Sequence, residues 1–269
     1  MLKTTNITPE IGSEIALDAE SMLAGTYKDE ILKLLEARGV LLFRNIKFDE
    51  EQVRTFTATL GERRLGAPME EDGLLKVINI PGSFFWHIDG LYSDLPPFAT
   101  VLTPQVLPKE GGDTEFANMY AAFEDLPEDE KEYLSTLEVA CTMQAATYHT
   151  LTEITPQHLE MWKENRRVQP LVWRHKSGRR SLVLGQTVSH VIGMHHADSY
   201  ELLQRLLAHA TQDKYVLRHQ WKMGDVVMWD NTGTMHRARS FDPASGRCML
   251  RCTLEGIEPL SLPSQRSAA

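Results

Sequence analysis

In Phe84-Phe85-Trp86-His87-Ile88-Asp89-Gly90 an imidazole and a carboxylate stand two residues apart among aromatic neighbours. On an extended strand, residues i and i+2 face the same way, so His87 and Asp89 are expected to project together as a pair of metal ligands. A third candidate stands far downstream at His236, which closes the run Val226-Val227-Met228-Trp229-Asp230-Asn231-Thr232-Gly233-Thr234-Met235-His236. Two histidines and one carboxylate on one side of an ion leave half of an octahedron open, which suits Fe(II) chemistry with dioxygen. Zinc with one bound water is served by the same donors. The plainer alternative is a strand that packs Trp86 and Ile88 inward and leaves His87 and Asp89 in water. His196-Ala197-Asp198 is a second tripeptide of the same form. There Asp198 is expected to cap a helix, and the neighbouring His195 to sit in a solvated loop.

Arg247 follows His236 by eleven residues, and Arg251 lies four further on. On one strand Arg247, Met249 and Arg251 share a face, while Cys248, Leu250 and Cys252 take the other. Guanidiniums on the face of an apolar strand are costly unless anions meet them. A dicarboxylate would do so, because the guanidinium fork matches a carboxylate in bidentate fashion. A pair of surface arginines beside Glu255 is the alternative.

The elements that must position these residues read as mainly β with peripheral helices. Tyr27–Arg38 carries a helical apolar stripe, Gly39 stands where a glycine ends a helix, and Val40–Phe43 follows as a buried strand. Asp49-Glu50-Glu51-Gln52 is a capping box opening a helix that Gly61 closes. Further strands are expected at Leu75–Ile80, Phe84–Asp89, Ala99–Thr103, Thr114–Ala117, Leu137–Thr142, Val216–Trp221, Asp225–Trp229, Thr234–Arg239 and Cys248–Leu254. Helices are expected at Glu128–Leu137, at Pro156–Arg166 behind a Thr155 cap, and from Asp198 to about Ala210. Many short strands with turn-rich joints suggest a sandwich or jelly roll with the helices outside.

The chain has 269 residues, 42% of them hydrophobic, enough for a sizeable core. One domain over residues 1–260 is expected, with a frayed Ser-rich tail at 261–269. Lys and Arg number 28 against 37 for Asp and Glu, a net charge of −9, so a nucleic-acid partner is not expected. No apolar run approaches the roughly 20 residues of a membrane span. Met1-Leu2-Lys3-Thr4-Thr5 has no apolar stretch of a secretory signal, and the three cysteines form no even framework. A cytoplasmic location is expected.

Together these residues resemble the taurine dioxygenase (TauD/TfdA) family of Fe(II)- and 2-oxoglutarate-dependent oxygenases. The likeness runs from Ile11-Gly12-Ser13-Glu14-Ile15 through Gly39–Asn45, Leu60-Gly61-Glu62, Trp86–Pro97, Gly111-Gly112-Asp113-Thr114 and Trp229-Asp230-Asn231 to the His236, Arg247 and Arg251 series. The resemblance implies a double-stranded β-helix, a cupin-like jelly roll. It implies iron ligands His87, Asp89 and His236, with Thr114 binding 2-oxoglutarate and Arg247 gripping its distal carboxylate. Arg251 would lie near the other carboxylate and the acidic group of the substrate. The implied cofactors are Fe(II), 2-oxoglutarate as cosubstrate and O2, with succinate and CO2 released. The implied reaction is hydroxylation or oxidative cleavage at an aliphatic carbon of a small acidic, partly apolar or aromatic molecule. A homodimer or homotetramer is what the family implies.

The taurine-binding member places a histidine shortly after the Gly-Glu pair, whereas this chain reads Gly61-Glu62-Arg63-Arg64-Leu65-Gly66, which points away from taurine. Gly90 is expected to widen the space beside the metal, with Phe85 and Tyr92 as walls and Thr147 on a covering segment. The alternatives are a jelly-roll zinc hydrolase or isomerase using the same triad, and a non-catalytic binding protein on this fold.

Overall fold

The computed structural model describes residues 2–66, 70–78 and 80–260. The tail expected to fray, 261–269, lies outside them, as does Asn79 of the strand expected at Leu75–Ile80. Mainly β structure with helices is what the residues build. The larger sheet has the order Lys3–Asn6, Ser13–Ala16, Val40–Phe43, Val226–Asp230, Ala99–Val106, Cys248–Thr253, Leu74–Val77 and Glu70–Glu71. Its pairings are antiparallel except that of Ser13–Ala16 with Val40–Phe43. A smaller sheet places Thr114–Asn118 between Val216–His219 and Thr234–Ala238.

These two sheets share one apolar layer of Val40, Leu42, Leu102, Phe116, Val227, Trp229 and Met249. Helices Lys28–Arg38 and Glu50–Leu60 cover the other face of the larger sheet through Leu35, Val53, Phe56 and Leu60. Ala117 and Met235 of the smaller sheet pack toward the Met119–Glu124 and His196–Ala210 helices. With both faces covered, Val40–Phe43 is apolar and buried at every position instead of alternating. No helix among the described residues is long and apolar enough to cross a membrane.

Several sequence signals act as expected. The Asp49–Gln52 capping box forms, Thr155 caps the Pro156–Glu164 helix, and Gly39 ends its helix at φ +71°. Two readings are corrected. Phe84–Asp89 is not a strand: Pro81–Phe84 winds into a 3-10 turn, and only His87 makes a β-bridge. Asp198 does not cap its helix, which starts at His196 with the His195 side chain accepting from the Ala197 N–H.

The turn between Val226–Asp230 and Thr234–Ala238 is tied by one buried carboxylate. Asp230 Oδ1 accepts from the Thr232 N–H at 2.9 Å and the Thr232 hydroxyl at 2.6 Å, and Oδ2 accepts from the Tyr120 hydroxyl at 2.9 Å. A Cβ at Gly233 would stand 1.8 Å from the Tyr120 ring. Gly233→Ala therefore has to displace Tyr120 from Asp230. Overpacking of this kind costs about 1–3 kcal/mol, to be read as a lower denaturation midpoint. An unchanged midpoint would show that Tyr120 moves freely.

Candidate metal centre

His236 lies opposite Phe116 in the smaller sheet, so its ring points into the shared layer. Trp229 and Phe116 flank it, with ring centroids 4.7 and 6.4 Å away. His87 comes to it through an isolated antiparallel bridge. The His87 N–H donates to the His236 carbonyl at 3.1 Å, and the His236 N–H donates to the His87 carbonyl at 2.9 Å. The bridge brings the two imidazole centroids to 4.2 Å. His87 Nδ1 is 2.7 Å from the Phe85 carbonyl. A carbonyl can only accept, so the neutral ring carries its proton on Nδ1 and presents a lone pair at Nε2.

Asp89 follows in a turn, held by Asn231. Asn231 Oδ1 accepts the Asp89 N–H at 2.9 Å, and Nδ2 donates to the carbonyls of Asp89 at 3.1 Å and Pro97 at 2.9 Å. One amide thus uses donor and acceptor together to fix the backbone of a candidate ligand. His87 Nε2 is 3.6 Å from Asp89 Oδ1, and His236 Nε2 is 3.8 Å from Oδ2. One donor atom from each of the three residues lies within 4.8 Å of the others. Donors bonded at ~2.1 Å and at right angles around one ion stand roughly 3 Å apart, close to this spacing.

Charge and protonation favour a cation. Burial pushes the Asp89 carboxyl up, but Arg251 outweighs it with His236, His87 and Arg64, and holds it at about 2. Arg251 Nη1 lies 3.6 Å from Asp89 Oδ2. Burial, then the neighbouring His87, presses His236 down to about 3, so its ring is neutral at pH 7. Both groups stand in the form that binds metal at neutral pH. Among the described residues, Asp89 Oδ2 is buried without a hydrogen-bond partner. A buried ionised oxygen is costly in that state, and a coordinated cation would remove the cost.

Beside this centre the arginines fall as the strand alternation predicts. Met249 lies in the layer between the sheets, whereas Leu250 and Cys252 pack under the helices. Arg247 is 3% exposed and makes no ion pair among the described residues. Its Nη2 donates to the Gly112 carbonyl at 3.4 Å, its guanidinium lies 4.8 Å over the Phe241 ring, and among the described residues Nε has no hydrogen-bond partner. Gly112 sits at φ +75°, and a Cβ there would press to 3.1 Å from Arg247 Nε. The Gly111-Gly112 turn therefore makes room for the guanidinium. Two residues on, buried Thr114 accepts the Trp221 indole N–H at 3.0 Å, which leaves its own hydroxyl hydrogen to donate.

The expected substrate walls separate. Tyr92 shares the field of Asp89: burial and then that carboxylate push its hydroxyl pKa up, while Arg64 and Arg251 pull it down. Phe85 is 46% exposed and lines a cavity of about 690 Å³ with Trp86, Tyr148 and Arg237, which none of the three candidate ligands lines. Gly90 answers to a different need, since it takes φ +71° and a Cβ would lie 2.6 Å from Pro97 Cδ. Thr147 engages its hydroxyl within its own segment and on the Pro156–Glu164 helix. Its hydroxyl donates to the Met143 carbonyl at 2.7 Å and accepts the Trp162 indole N–H at 2.8 Å. Asn231 holds Asp89 in place, a role that its position in the Trp229-Asp230-Asn231 run does not announce.

Comparison with known proteins fits this geometry. Residues 3–253 match the model of a family described as taurine catabolism dioxygenase TauD, TfdA family. The alpha-ketoglutarate-dependent 2,4-dichlorophenoxyacetate dioxygenase of Burkholderia sp. (strain RASC) is 32% identical over 260 residues, covering 82% of this chain and 83% of that protein. An alpha-ketoglutarate-dependent sulfate ester dioxygenase of Pseudomonas putida is 29% identical, covering 97% of this chain and 92% of its own length. Among solved structures, AAD-2 in complex with Mn(II) and N-oxalylglycine superposes with a TM-score of 0.88. It is 30% identical and covers 97% of this chain and 100% of its own.

Removing the Asn231 clamp should loosen Asp89 without touching the donor atoms. Asn231→Ala is expected to weaken Mn(II) binding by roughly 10–100-fold, the usual effect of losing a residue that orients a ligand. Titration followed by the electron paramagnetic resonance of free Mn(II) measures it. Unaltered affinity would show that the turn alone holds Asp89.

Proposed function

The chain belongs to the taurine catabolism dioxygenase TauD, TfdA family and is an α-ketoglutarate (2-oxoglutarate)-dependent dioxygenase; from that premise we propose how its own residues carry the reaction. His87, Asp89 and His236 hold Fe(II), Arg247 and Thr114 hold the distal carboxylate of 2-oxoglutarate, and Arg251 lies toward its other carboxylate. The substrate is a small organic acid with an apolar or aromatic part, oxidised at an aliphatic carbon. Residues 1–260 form one domain, and its two facing sheets are a double-stranded β-helix. The observation that carries this reading is the convergence of three donor atoms from two distant parts of the chain within 4.8 Å, with Asp89 Oδ2 buried and, among the described residues, without a hydrogen bond.

When bound, Fe(II) and 2-oxoglutarate supply the electrons that let dioxygen attack an unactivated C–H bond, with succinate and CO2 as by-products. The chain supplies placement. Phe85 fixes the His87 tautomer through its carbonyl, and Asn231 fixes Asp89. The buried Arg247 fork pre-orders the cosubstrate's far end, because it has no competing carboxylate among the described residues. Trp229 and Phe116 exclude water behind His236. If the oxidised carbon also carries an ether or sulfate-ester oxygen, the hydroxylated product collapses, so hydroxylation and cleavage become one reaction. Neither the zinc-hydrolase nor the binding-protein alternative gives Thr114, Arg247 and Arg251 a shared purpose.

Anaerobic Fe(II) with 2-oxoglutarate should give a visible metal-to-ligand charge-transfer band in the wild-type protein, and His87→Ala should abolish it. A colourless mixture, or a band indifferent to that substitution, would reject the assignment. Arg247→Lys replaces a planar fork with a point charge. It is expected to weaken 2-oxoglutarate binding roughly tenfold or more, as the loss of a charged hydrogen bond worth about 1.5–3 kcal/mol predicts. Titration of the band reads this directly, and an unchanged midpoint would move the anchor elsewhere.

A further inference from the structure

A second buried polar series ends on the turn that carries Asn231. The antiparallel hairpin of Val172–Arg174 with Arg180–Leu182 sets Trp173 opposite Ser181. His175, two residues past Trp173, stacks on the Trp173 ring with centroids 4.9 Å apart. His175 Nδ1 lies 2.6 Å from Glu258 Oε1, and its Nε2 lies 2.8 Å from the Ser181 hydroxyl oxygen. That hydroxyl donates to the Thr232 carbonyl at 3.3 Å. Asp230 and Thr232 close the turn on either side of Asn231, whose amide holds Asp89. His175, Glu258, Ser181 and Thr232 are all buried.

Each hydrogen in this series can be placed. Burial pushes the Glu258 carboxyl up, but its hydrogen bond with His175 and the Lys176 N–H, which donates to Oε2 at 2.9 Å, outweigh burial and hold it below the ordinary carboxylate value. An ionised Glu258 only accepts, so His175 Nδ1 carries a proton. The Ser181 hydroxyl has a single hydrogen to give. With that hydrogen on the Thr232 carbonyl, Nε2 must donate to the Ser181 oxygen, and the ring is an imidazolium. In a neutral ring Nε2 is a lone pair that takes the Ser181 hydrogen, and the Thr232 carbonyl loses it. The protonation of His175 is thereby tied to the hold on the turn. Tyr120 faces the ring at 4.9 Å between centroids, with Arg179 4.0 Å over Tyr120 and Asp230 buried behind it. Lys33 and Glu36 of one helix, with Glu62 and Glu255, line the same cavity of about 490 Å³. Of all these charges, Glu258 is the one bonded to the ring.

We infer that Ser181 is a positioning residue for the candidate ligand Asp89, and that doubly protonated His175, paired with Glu258, is the form that turns the Ser181 hydroxyl onto the Thr232 carbonyl. The inference rests on the assignment of Asp89 to the metal given above. Loss of the second proton from His175 releases the Thr232 carbonyl, and Asn231 then holds Asp89 less firmly.

The test uses the full chain with Mn(II) as the probe. Nitrogen NMR of the His175 ring marks the pH at which the second proton leaves. On the acid side of that pH, Ser181→Ala should weaken Mn(II) binding about three- to tenfold, the effect of losing one neutral hydrogen bond. On the alkaline side, wild type and variant should converge. Their ratio cancels proton competition at the ligands themselves. Glu258→Gln keeps the shape but disfavours the imidazolium. Between its His175 titration and that of the wild type, it should bind Mn(II) as weakly as Ser181→Ala, and the double variant no more weakly than either. In metal-free protein the Asp89 N–H should exchange with solvent faster in Ser181→Ala, with the same dependence on the His175 titration, which a merely structural loss would not follow. The inference is overturned if Ser181→Ala leaves both readouts unchanged, if its effect is equal on both sides of the titration, if the two substitutions add, or if the ring holds no second proton at any pH at which the protein is folded. Failure of the wild type to bind Mn(II) would count against the assignment of the centre, and the exchange comparison then decides Ser181 by the same criteria. Should Ser181→Ala not fold, Glu258→Gln is set against the wild type across both titrations, and identical behaviour between them overturns the inference.

Discussion

After Phe84 the segment carrying His87 and Asp89 has no strand or helix of its own, and the reciprocal hydrogen bonds between His87 and His236 pin it to the smaller sheet. That bridge has consequences on both sides. Toward the sheet, His236 is set by its register with Phe116, so the position of His87 is inherited from the packing of the core. Toward the turn, the bridge delivers Asp89 to within reach of Asn231, whose amide can hold it only because the Asp230–Thr232 turn is itself tied by a buried carboxylate. A shift anywhere in this series would move a candidate ligand by an amount that a coordination sphere does not tolerate.

The large sheet contributes charge, and the small sheet contributes the ring nitrogens. Arg247 and Arg251 enter from the Cys248–Thr253 strand because alternation turns them inward with Met249, while Leu250 and Cys252 satisfy the helices behind. Such a placement is unfavourable for an apolar layer alone. It makes sense where anionic molecules enter between the sheets and are met by groups already desolvated and oriented. Gly112 fits the same logic, since a side chain there would press on the Arg247 guanidinium.

Much of this was legible in the residues. Helix ends marked by Asp49, Thr155 and Gly39 formed because capping is local chemistry. The inward arginines were readable from period two along one strand. The pairing of His87 with Asp89 was correct as an outcome but not by the expected route. Phe84–Asp89 has the aromatic composition of a strand, yet Pro81-Gly82 starts a 3-10 turn and only one bridge follows. Convergence comes from a long-range bridge and an asparagine amide, and neither leaves a periodic signal. The Thr147 hydroxyl is likewise engaged by Trp162 and Met143, a contact that no spacing announces.

The arrangement also couples the ligands to one another. Without a cation, the Asp89 charge is held by Arg251, and that pair keeps the carboxylate ionised despite its burial. A metal at the triad would compete for the same carboxylate oxygens and draw charge from Asp89, leaving the fixed positive charge of Arg251 less neutralised. The order of binding therefore follows from electrostatics: a metal first makes the pocket more attractive to a dicarboxylate, and the dicarboxylate in turn offsets the positive charge the metal brings.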